Sequence, residues 1–353
     1  MPIGIAASPD PMHDQPRVAV VVLNWNGWRH TIECLHTLRT VTYTNFRVIV
    51  VDNGSEAEDL AQLRQWTGSI ELLENVENRG FAGGNNVGIR HALQDQHTDY
   101  VLILNNDTTV EPDFLHEMVD AAFRKQVDMV SPTVLSYADR RTIDRLGIVV
   151  SKALLGFDMK QWEGKDPLCP SGCCALYSRQ LLTATELDGE YFDEDFFAYA
   201  EDIDFGIRSV LLGYKAALAS KAIIYHKGSA TTSLNSPFAL YHGHRNSVWY
   251  LAKTVPMATL VRHGLWVLVG QTATIITNIR RRRGLLIFRA KMAGLRGIGK
   301  MLRKRQLIEQ RGRLNVTALE SALDARPFYL FVPRLLRYVT RLASIPKRMF
   351  GRS

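Results

Sequence analysis

Four short runs of Val, Ile and Leu, separated by patterns typical of amphipathic helices, constrain the fold of this chain more than any other feature. The runs are RVAVVVLN (17–24), FRVIVVDN (46–53), SIELLEN (69–75) and DYVLILNND (99–107). Helical patterns occur at about 28–40, 56–66, 84–96 and 113–125. This alternation predicts a mostly parallel, doubly wound α/β sheet with flanking helices. Ligands of such sheets bind beyond the carboxyl ends of the strands.

Polar and glycine-rich segments follow each of these strands. They are NWNG (24–27), VDNGS (51–55), ENRGFAGGNN (77–86) and LNNDT (104–108). Each alone is compatible with ordinary turn chemistry, because Asn, Asp and Gly tolerate left-handed backbone. Together they predict a ligand site at one edge of the sheet. The glycine-rich loop lacks both GxGxxG and GxxxxGK[ST], which disfavours a dehydrogenase or an ATPase.

An acidic and aromatic stretch, YFDEDFFAYAEDIDFGIR, spans residues 191–208. The spacing of apolar residues from Ile203 onward predicts a helix with one buried face. Glu201 and Asp202 then lie in its first turn, where carboxylates either stabilise the helix start or serve as catalytic groups. The i,i+4 spacing of Asp204 and Arg208 predicts an ion pair on the helix surface.

Charge is distributed unevenly along the 353 residues. Residues 262–353 contain 21 Lys and Arg against three acids, a net charge of +18, so the rest of the chain carries −10. This division predicts a catalytic body followed by a basic appendage. The four cysteines have no paired-CxxC zinc spacing, and no secretion signal is recognisable, so we expect reduced thiols in a cytosolic protein.

Taken in order, Asp52 in VVDNGS, the NRGFAGGNN loop, LNNDT and AEDIDFGIR resemble the motifs of glycosyltransferase family 2, particularly its rhamnosyltransferase-like members. The resemblance covers roughly residues 17–226, with a looser similarity in YHGHRNSVWYLAK (241–253). It implies a GT-A fold, a nucleotide-sugar donor, Mg²⁺ or Mn²⁺, and inverting transfer to an acceptor hydroxyl.

On the donor side, the resemblance implies that Asp52 bonds the base or ribose of the nucleotide. Asn24, the turn Asn78–Gly80 and Asn106 would close around it. Asp107 corresponds to the family's acidic metal motif, and Asn105 occupies the first acidic position of that motif. An amide oxygen binds a hard cation less well than a carboxylate does. His226 matches a further metal ligand of some members, although a single His after an apolar run is also compatible with a structural role.

On the acceptor side, the family's catalytic base matches Asp202, with Glu201 as the neighbouring alternative. Removal of the acceptor proton by one carboxylate suffices for inversion, because a cation neutralises the departing diphosphate. Ser171 and Gly172, in CPSGCCALYSRQ (169–180), are expected to line the acceptor and sugar pocket.

The C-terminal region combines an apolar segment with dense arginine. Its uncharged run, 264–279, is shorter than the roughly 20 residues needed to span a bilayer. We therefore expect a helix lying at the membrane surface, with a membrane-spanning helix as the alternative. A surface helix would place the enzyme on the inner face of the cell membrane with a lipid-linked glycan acceptor. The expected organisation is a flexible N-terminus (1–16), a catalytic domain (17–235) and a basic helical region (236–353).

Three alternatives remain at the sequence level. The chain could be a non-catalytic relative that binds sugar nucleotides, or the basic tail could be a solvated helical extension. A nucleic-acid-binding protein is the third, but the arginines adjoin aliphatic stretches and no nucleic-acid motif is present. Motifs do not distinguish UDP- from dTDP-linked donors, and rhamnose is favoured by the resemblance alone.

Overall fold

The structure is a computed structural model that describes residues 15–228, 236–312 and 314–326. Its strands are β1 Arg17–Asn24, β2 Phe46–Asn53, β3 Glu71–Asn75, β4 Thr98–Asn105, β5 Thr108–Val110, β6 Met129–Ser136, β7 Ile143–Arg145, β8 Ile148–Val150, β9 Gly156–Asp158, β10 Cys174–Ser178 and β11 Ala216–His226. Its helices are α1 Trp28–Leu38, α2 Ala57–Arg64, α3 Gly80–Gln94, α4 Phe114–Lys125, α5 Arg179–Thr185, α6 Glu201–Leu211, α7 Pro237–Lys253, α8 Met257–Arg280, α9 Gly284–Arg296, α10 Ile298–Gln310 and α11 Val316–Ala322, with a 3₁₀ turn at Glu194–Phe196.

One mixed sheet forms the centre of the fold, with strand order β3-β2-β1-β4-β10-β6-β11-β5 and β7 paired to β6. The strands β1 to β4 pair in parallel, as the alternating pattern predicts. Antiparallel pairing enters with β10, which lies between β4 and β6. This arrangement confirms the GT-A-like fold expected from the motifs. The carboxyl ends of β1, β2 and β4 meet at one edge, where the polar segments follow.

The glycine-rich segment differs from the expected loop, because α3 already begins at Gly80. Its glycines lie against the sheet: a Cβ on Gly84 would come within 2.5 Å of Leu23, and one on Gly88 within 2.3 Å of Val21. The absence of side chains therefore lets the start of this helix pack closely onto β1. Low helix propensity of Gly is offset here by tertiary packing.

Helices α7 to α11 form the C-terminal part of the described chain. Among the described residues, none of the helices combines the length and apolar character needed to cross a membrane. The boundary expected at 235/236 falls beside residues 229–235, which lie outside the described residues, as do residues 1–14 of the expected flexible N-terminus. All four cysteines are free and buried.

The prediction of a surface ion pair between Asp204 and Arg208 is wrong, because both residues are buried. Asp204 instead accepts hydrogen bonds from Lys253, at 2.6 Å, and from Thr254 of the C-terminal region. Arg208 donates to the backbone carbonyls of Thr185 and Tyr191. Spacing along the helix predicted a local pair, but both side chains face neighbouring elements rather than each other.

Candidate active site

A cleft of about 610 Å³ opens at the carboxyl ends of the central strands. Nine of the residues expected in the site line this cleft: Asn78, Gly80, Asn105, Asn106, Asp107, Gly172, Glu201, Asp202 and His226. They come from five separate segments of the sequence, so the fold gathers the expected residues at one place. The three others, Asn24, Asp52 and Ser171, are buried.

The pair Asp107 and His226 lies at the end of β11. Antiparallel pairing of β5 with β11 places His226 opposite Thr108, which is the residue after Asp107 in the chain. His226 Nε2 consequently lies 3.4 Å from Asp107 Oδ1, and both side chains are almost fully buried. Two ligands of one cation at about 2.1 Å from it would be separated by roughly 3 Å or slightly more. The separation of these two atoms thus fits a shared divalent cation.

Asp144 of β7 lies behind His226 and fixes the orientation of the ring. The distance from His226 Nδ1 to Asp144 Oδ2 is 2.9 Å. A carboxylate on one ring nitrogen is the usual support for a histidine whose other nitrogen binds metal. Burial opposes protonation of His226, but neighbouring Cys173, Asp107 and Asp144 outweigh it and raise the pKa of His226 to about 12. A bound cation would take the place of the proton on Nε2.

Protein ligands alone do not complete a metal site here. Over residues 15–228, 236–312 and 314–326, no group of three or more His, Cys, Asp and Glu side chains is placed to hold one ion. Asn105 lines the cleft beside Asp107 and offers an amide oxygen in place of a carboxylate. Mg²⁺ and Mn²⁺ commonly take their remaining ligands from water and substrate phosphates. The donor set therefore suits a cation held jointly with a diphosphate.

Glu201 and Asp202 begin α6 and face the same cleft. Asp202 Oδ2 accepts a hydrogen bond of 3.2 Å from the backbone N–H of Gly172, and its Oδ1 accepts one of 2.8 Å from Ile203 N–H. The capping position before them is Ala200, which has no side-chain oxygen to cap the helix. These contacts hold Asp202 in a fixed orientation.

Burial changes the proton affinity of both carboxylates. It raises the pKa of Asp202, although the backbone N–H groups of Gly172 and Ile203 oppose that shift. Burial, together with the adjacent charges of Asp202 and Asp204, raises the pKa of Glu201 well above its usual range. A carboxylate with a raised pKa is a better proton acceptor near neutral pH than an exposed one.

Asn24 and Asp52 form a buried hydrogen-bond network beneath the donor side of the cleft. Asn24 Nδ2 donates to Asp52 Oδ1 at 2.8 Å and to Asp59 Oδ1 at 2.8 Å. Asp52 Oδ2 accepts a bond of 3.1 Å from Ser55 N–H. Asp52 is only 1% exposed, so in this conformation it holds the strand ends together. Its expected contact with a nucleotide stays a prediction.

Asn53 is a residue of the cleft that the sequence did not single out. Its Nδ2 donates to Asn78 Oδ1 and to the carbonyl of Gly80, both at 3.0 Å. Gly80 has a φ of +70°, and a Cβ there would lie 2.3 Å from the carbonyl oxygen of Phe197. Asn53 thereby fixes the turn at Asn78–Gly80. The position of Asn53 in the VDNGS motif could have identified it as a residue of the cleft.

Of the two residues expected to line the acceptor and sugar pocket, Gly172 lines the cleft while the neighbouring Ser171 is buried. The further residues that line the cleft and were not expected include Trp25, Phe81, Arg145, Phe197, Tyr199 and Phe238. Phe197 and Tyr199 belong to the acidic and aromatic stretch, whose aromatic residues were a usable signal. Arg145 lies in a short strand within a polar segment, which gave no such signal.

Comparison with known proteins agrees with this geometry. Residues 19–184 match the sequence model of glycosyl transferase family 2. The chain is 29% identical over 176 residues to the low-salt glycan biosynthesis hexosyltransferase Agl10 of Haloferax volcanii, covering 46% of this chain and 52% of Agl10. It is 24% identical over 259 residues to the N-acetylglucosaminyl-diphospho-decaprenol L-rhamnosyltransferase of Mycobacterium tuberculosis, covering 66% of this chain and 83% of that protein.

The matched part of the chain spans about half of the length of Agl10 and a quarter or less of two other matching relatives. Among solved structures, the chain resembles the mannosyltransferase PcManGT from Pyrobaculum calidifontis, solved in complex with GDP-Man and Mn²⁺. The TM-score is 0.53 at 20% identity, over 87% of this chain and 88% of that one, which shows a shared fold. By its motifs, its GT-A-like fold and these matches, the region at residues 19–184 is a domain of glycosyltransferase family 2.

Proposed function

We propose that the chain transfers a sugar from a nucleotide diphosphate donor to a hydroxyl group of a growing glycan, with inversion at the anomeric carbon. The observation that carries this proposal is the convergence of two groups on one cleft of about 610 Å³. One group is the pair Asp107 and His226, which fits a divalent cation. The other is the carboxylate pair Glu201 and Asp202, which fits a general base.

In this proposal, the nucleotide lies at the ends of β1 and β2, between the Asn24–Asp52 network and the turn at Asn78–Gly80. Asn106 faces the same side of the cleft, and its Nδ2 donates to Thr31 Oγ1 at 3.0 Å. Asp107 and His226 would hold Mg²⁺ or Mn²⁺. When bound, such a cation neutralises the charge that develops on the departing diphosphate.

Asp202 takes the proton of the acceptor hydroxyl as the new glycosidic bond forms. Its Oδ2 is held by Gly172 N–H, so the carboxylate is oriented before the acceptor arrives. Burial raises its pKa, which strengthens it as a base. Glu201 is the alternative base, and one carboxylate is sufficient because the cation assists departure of the leaving group.

The identity of the donor sugar rests on resemblance. Rhamnose is favoured by the motifs, and one relative, at 24% identity, is named as an L-rhamnosyltransferase. We therefore propose a dTDP- or UDP-linked sugar, with a deoxyhexose such as rhamnose first among those to test. The relative PcManGT was solved with GDP-Man, so GDP-linked sugars belong in the same panel.

We further propose that α8 docks on the inner leaflet of the cell membrane, where a lipid-linked acceptor would be reached. Eight large apolar side chains of α8 are exposed, most of them at spacings of three or four residues: Met257, Val261, Leu265, Trp266, Leu268, Val269, Ile276 and Ile279. The opposite side of α8 is buried at Thr259, His263 and Gly270. Four arginines, 280–283, follow this stripe. An apolar helix face beside dense positive charge suits an anionic lipid surface.

A thermal-shift screen tests the proposed donor binding. UDP, GDP, dTDP and their sugars would each be added with MnCl₂, and again with EDTA. A ligand at 100 times its Kd adds about 2.7 kcal/mol of stability, so the matching donor should raise Tm clearly and only with the metal. Product analysis with the same donor then measures transfer or hydrolysis. If no nucleotide raises Tm under either condition, the proposed function is wrong.

A further inference from the structure

The segment just before the two carboxylates has an unusual backbone. Phe197, Tyr199 and Ala200 have φ of 62°, 70° and 67°, although none of them is glycine. At Phe197 the ψ is −62°, and Ala198 N–H donates to the carbonyl of Phe196 at 2.7 Å, which closes a γ-turn of the rare type with positive φ. Backbone of this kind persists only where the surrounding structure holds it.

The side chain of Asn246, in α7, lies against three carbonyl groups in and beside this segment. Asn246 is fully buried, and its Nδ2 lies 2.9 Å from the carbonyl oxygen of Phe196, 3.0 Å from that of Ala198 and 2.7 Å from that of Tyr199. Asn246 Oδ1 accepts a hydrogen bond of 2.8 Å from Arg245 Nε. Because an arginine can only donate, this contact assigns the amide oxygen and turns the NH₂ group toward the carbonyls.

Arg245 strengthens the same attachment. Its Nη2 donates to the carbonyls of Asp195 and Phe196 at 3.1 and 2.9 Å. Its guanidinium lies over the ring of Trp249 at 4.2 Å, which fixes the side chain within α7. Two neighbouring residues of α7 therefore donate to four carbonyl groups, those of Asp195, Phe196, Ala198 and Tyr199.

The opposite side of the segment contacts the donor half of the cleft. The carbonyl of Phe197 accepts a hydrogen bond of 3.1 Å from Ala82 N–H in the first turn of α3. Phe197, Ala198 and Tyr199 all line the cleft beside Glu201 and Asp202. The strained segment is thus held between the glycine-rich start of α3 and the C-terminal helix α7.

We propose that Asn246 is a positioning residue for Glu201 and Asp202, and that α7 thereby completes the active site. The proposal rests on the proposed function, because it assigns Asn246 to the same reaction. Asn246 holds the turn that leads into Ala200 and α6, and so fixes where the two carboxylates stand relative to the cleft. In the proposed mechanism, Asn246 touches neither the substrate nor the cation. The motif YHGHRNSVWYLAK, which includes Asn246, acquires a physical role in this way.

The substitution Asn246→Asp tests the proposal. It keeps the size of the side chain but replaces the NH₂ donor by an oxygen that faces three carbonyl oxygens. A displacement of about 1 Å at a catalytic group can lower the rate by about 100-fold, so we expect kcat to fall by about 10- to 100-fold. The KM for the donor should stay within about twofold, because the nucleotide side of the cleft is unchanged.

Two measurements are made on the full chain. The first is the hydrolysis of dTDP-rhamnose with Mn²⁺, or of whichever tested nucleotide sugar the wild type hydrolyses fastest. The second is hydrogen–deuterium exchange of the peptide covering residues 193–204, which should become faster in Asn246→Asp. Asn278→Asp is the matched control, since this buried amide donates to the carbonyl of Thr274 in α8, at 2.9 Å, and lies 3.3 Å from His244 Nε2 of α7, but does not bond the segment 193–204. The control should keep wild-type kcat and wild-type exchange at 193–204.

Wild-type kcat in Asn246→Asp would overturn the proposal, whatever the exchange shows. Unchanged exchange at 193–204 would overturn the attachment itself, even if the wild-type protein hydrolyses no donor. Absence of donor turnover in the wild type would instead refute the proposed function. If Asn246→Asp does not fold, Asn246→Ser replaces it, because a hydroxyl can still donate one hydrogen bond. The expected loss in kcat is then about tenfold, and wild-type kcat would again refute the role of Asn246.

Discussion

A buried ion cluster joins α6, the helix that begins with Glu201 and Asp202, to the C-terminal helices, and its removal should destabilise the fold strongly. Lys253 Nζ lies 2.6 Å from Asp204 Oδ2 and 2.8 Å from Asp193 Oδ2, and the three side chains are at most 2% exposed. Asp193 also contacts Lys304 Nζ at 2.6 Å. The cluster therefore links α6, α7 and α10 through charges that water does not screen.

Lys253→Met keeps most of the volume of the side chain but removes the ammonium group. Asp204 then keeps only the Thr254 hydroxyl among the partners described above, while Asp193 keeps Lys304. Breaking a buried pair by removing one partner costs about 3–5 kcal/mol, because a carboxylate stays buried without its counter-charge. We therefore expect the free energy of unfolding to fall by about 3–5 kcal/mol. Since proteins are stable by only about 5–15 kcal/mol, urea denaturation at neutral pH should show a large shift in midpoint.

Lys300→Met is the matched control for this prediction. Lys300 Nζ lies 2.6 Å from Asp195 Oδ1, a distance equal to that of the Lys253–Asp204 pair, but its side chain is 53% exposed. Exposed pairs typically contribute about 0.2–1 kcal/mol, so this variant should lose little stability. Equal losses in the two variants, or a loss below about 1 kcal/mol for Lys253→Met, would refute the argument from burial.

Three further predictions concern pH, the metal and the membrane. Burial opposes ionisation of Asp193, but Lys253 and Lys304 outweigh it and lower the pKa of Asp193 below 3.8. The contribution of Asp193 to stability is therefore present above about pH 4 and is lost as the pH falls further. Asp193→Asn should flatten the acid side of a plot of unfolding free energy against pH, and an unchanged acid side would contradict this prediction. Asp107→Ala should abolish the Mn²⁺-dependent part of nucleotide diphosphate binding in calorimetry, and unchanged affinity would remove Asp107 from the site. Leu265→Glu should reduce co-sedimentation with vesicles of anionic lipid, whereas Phe123→Glu, at a 77% exposed position of α4, should not; equal binding by both variants would place the membrane contact elsewhere.

The parallel half of the sheet could be predicted from sequence because β1, β2 and β4 contain runs of buried β-branched and aliphatic residues. The bounds of β1 and β2 are those expected from their patterns. The start of α3 could not be predicted in this way. Its glycines indicate a loop by propensity, and only the packing of Gly84 and Gly88 against β1 makes helix the better solution.

The site was predictable where its residues lie in short motifs at the ends of strands or at the start of a helix. Asp107, His226, Glu201 and Asp202 were named from such motifs, and the fold brings them to one cleft. Contacts between distant segments carried no such signal. Asp204 pairs with Lys253, 49 residues away, rather than with the helical neighbour that spacing suggested. Asn246 likewise acts on a segment 47 to 50 residues earlier in the chain.

Asp202→Asn, with Glu201→Gln measured in parallel, tests most directly whether a carboxylate at the start of α6 is the general base. Loss of a positioned general base should lower turnover of the donor and acceptor by about 10²–10⁴-fold, with donor affinity nearly unchanged. Burial raises the pKa of Asp202 above its unfolded value, so the ionised form lowers stability at neutral pH. The amide removes this buried charge but can accept from only one of the N–H groups of Gly172 and Ile203, so stability should change little. A role in stabilising the helix start predicts the reverse, namely reduced stability with near-normal turnover. Wild-type turnover in Asp202→Asn together with an inactive Glu201→Gln would assign the general base to Glu201. If both variants are active, neither carboxylate is the base and the proposed mechanism is wrong.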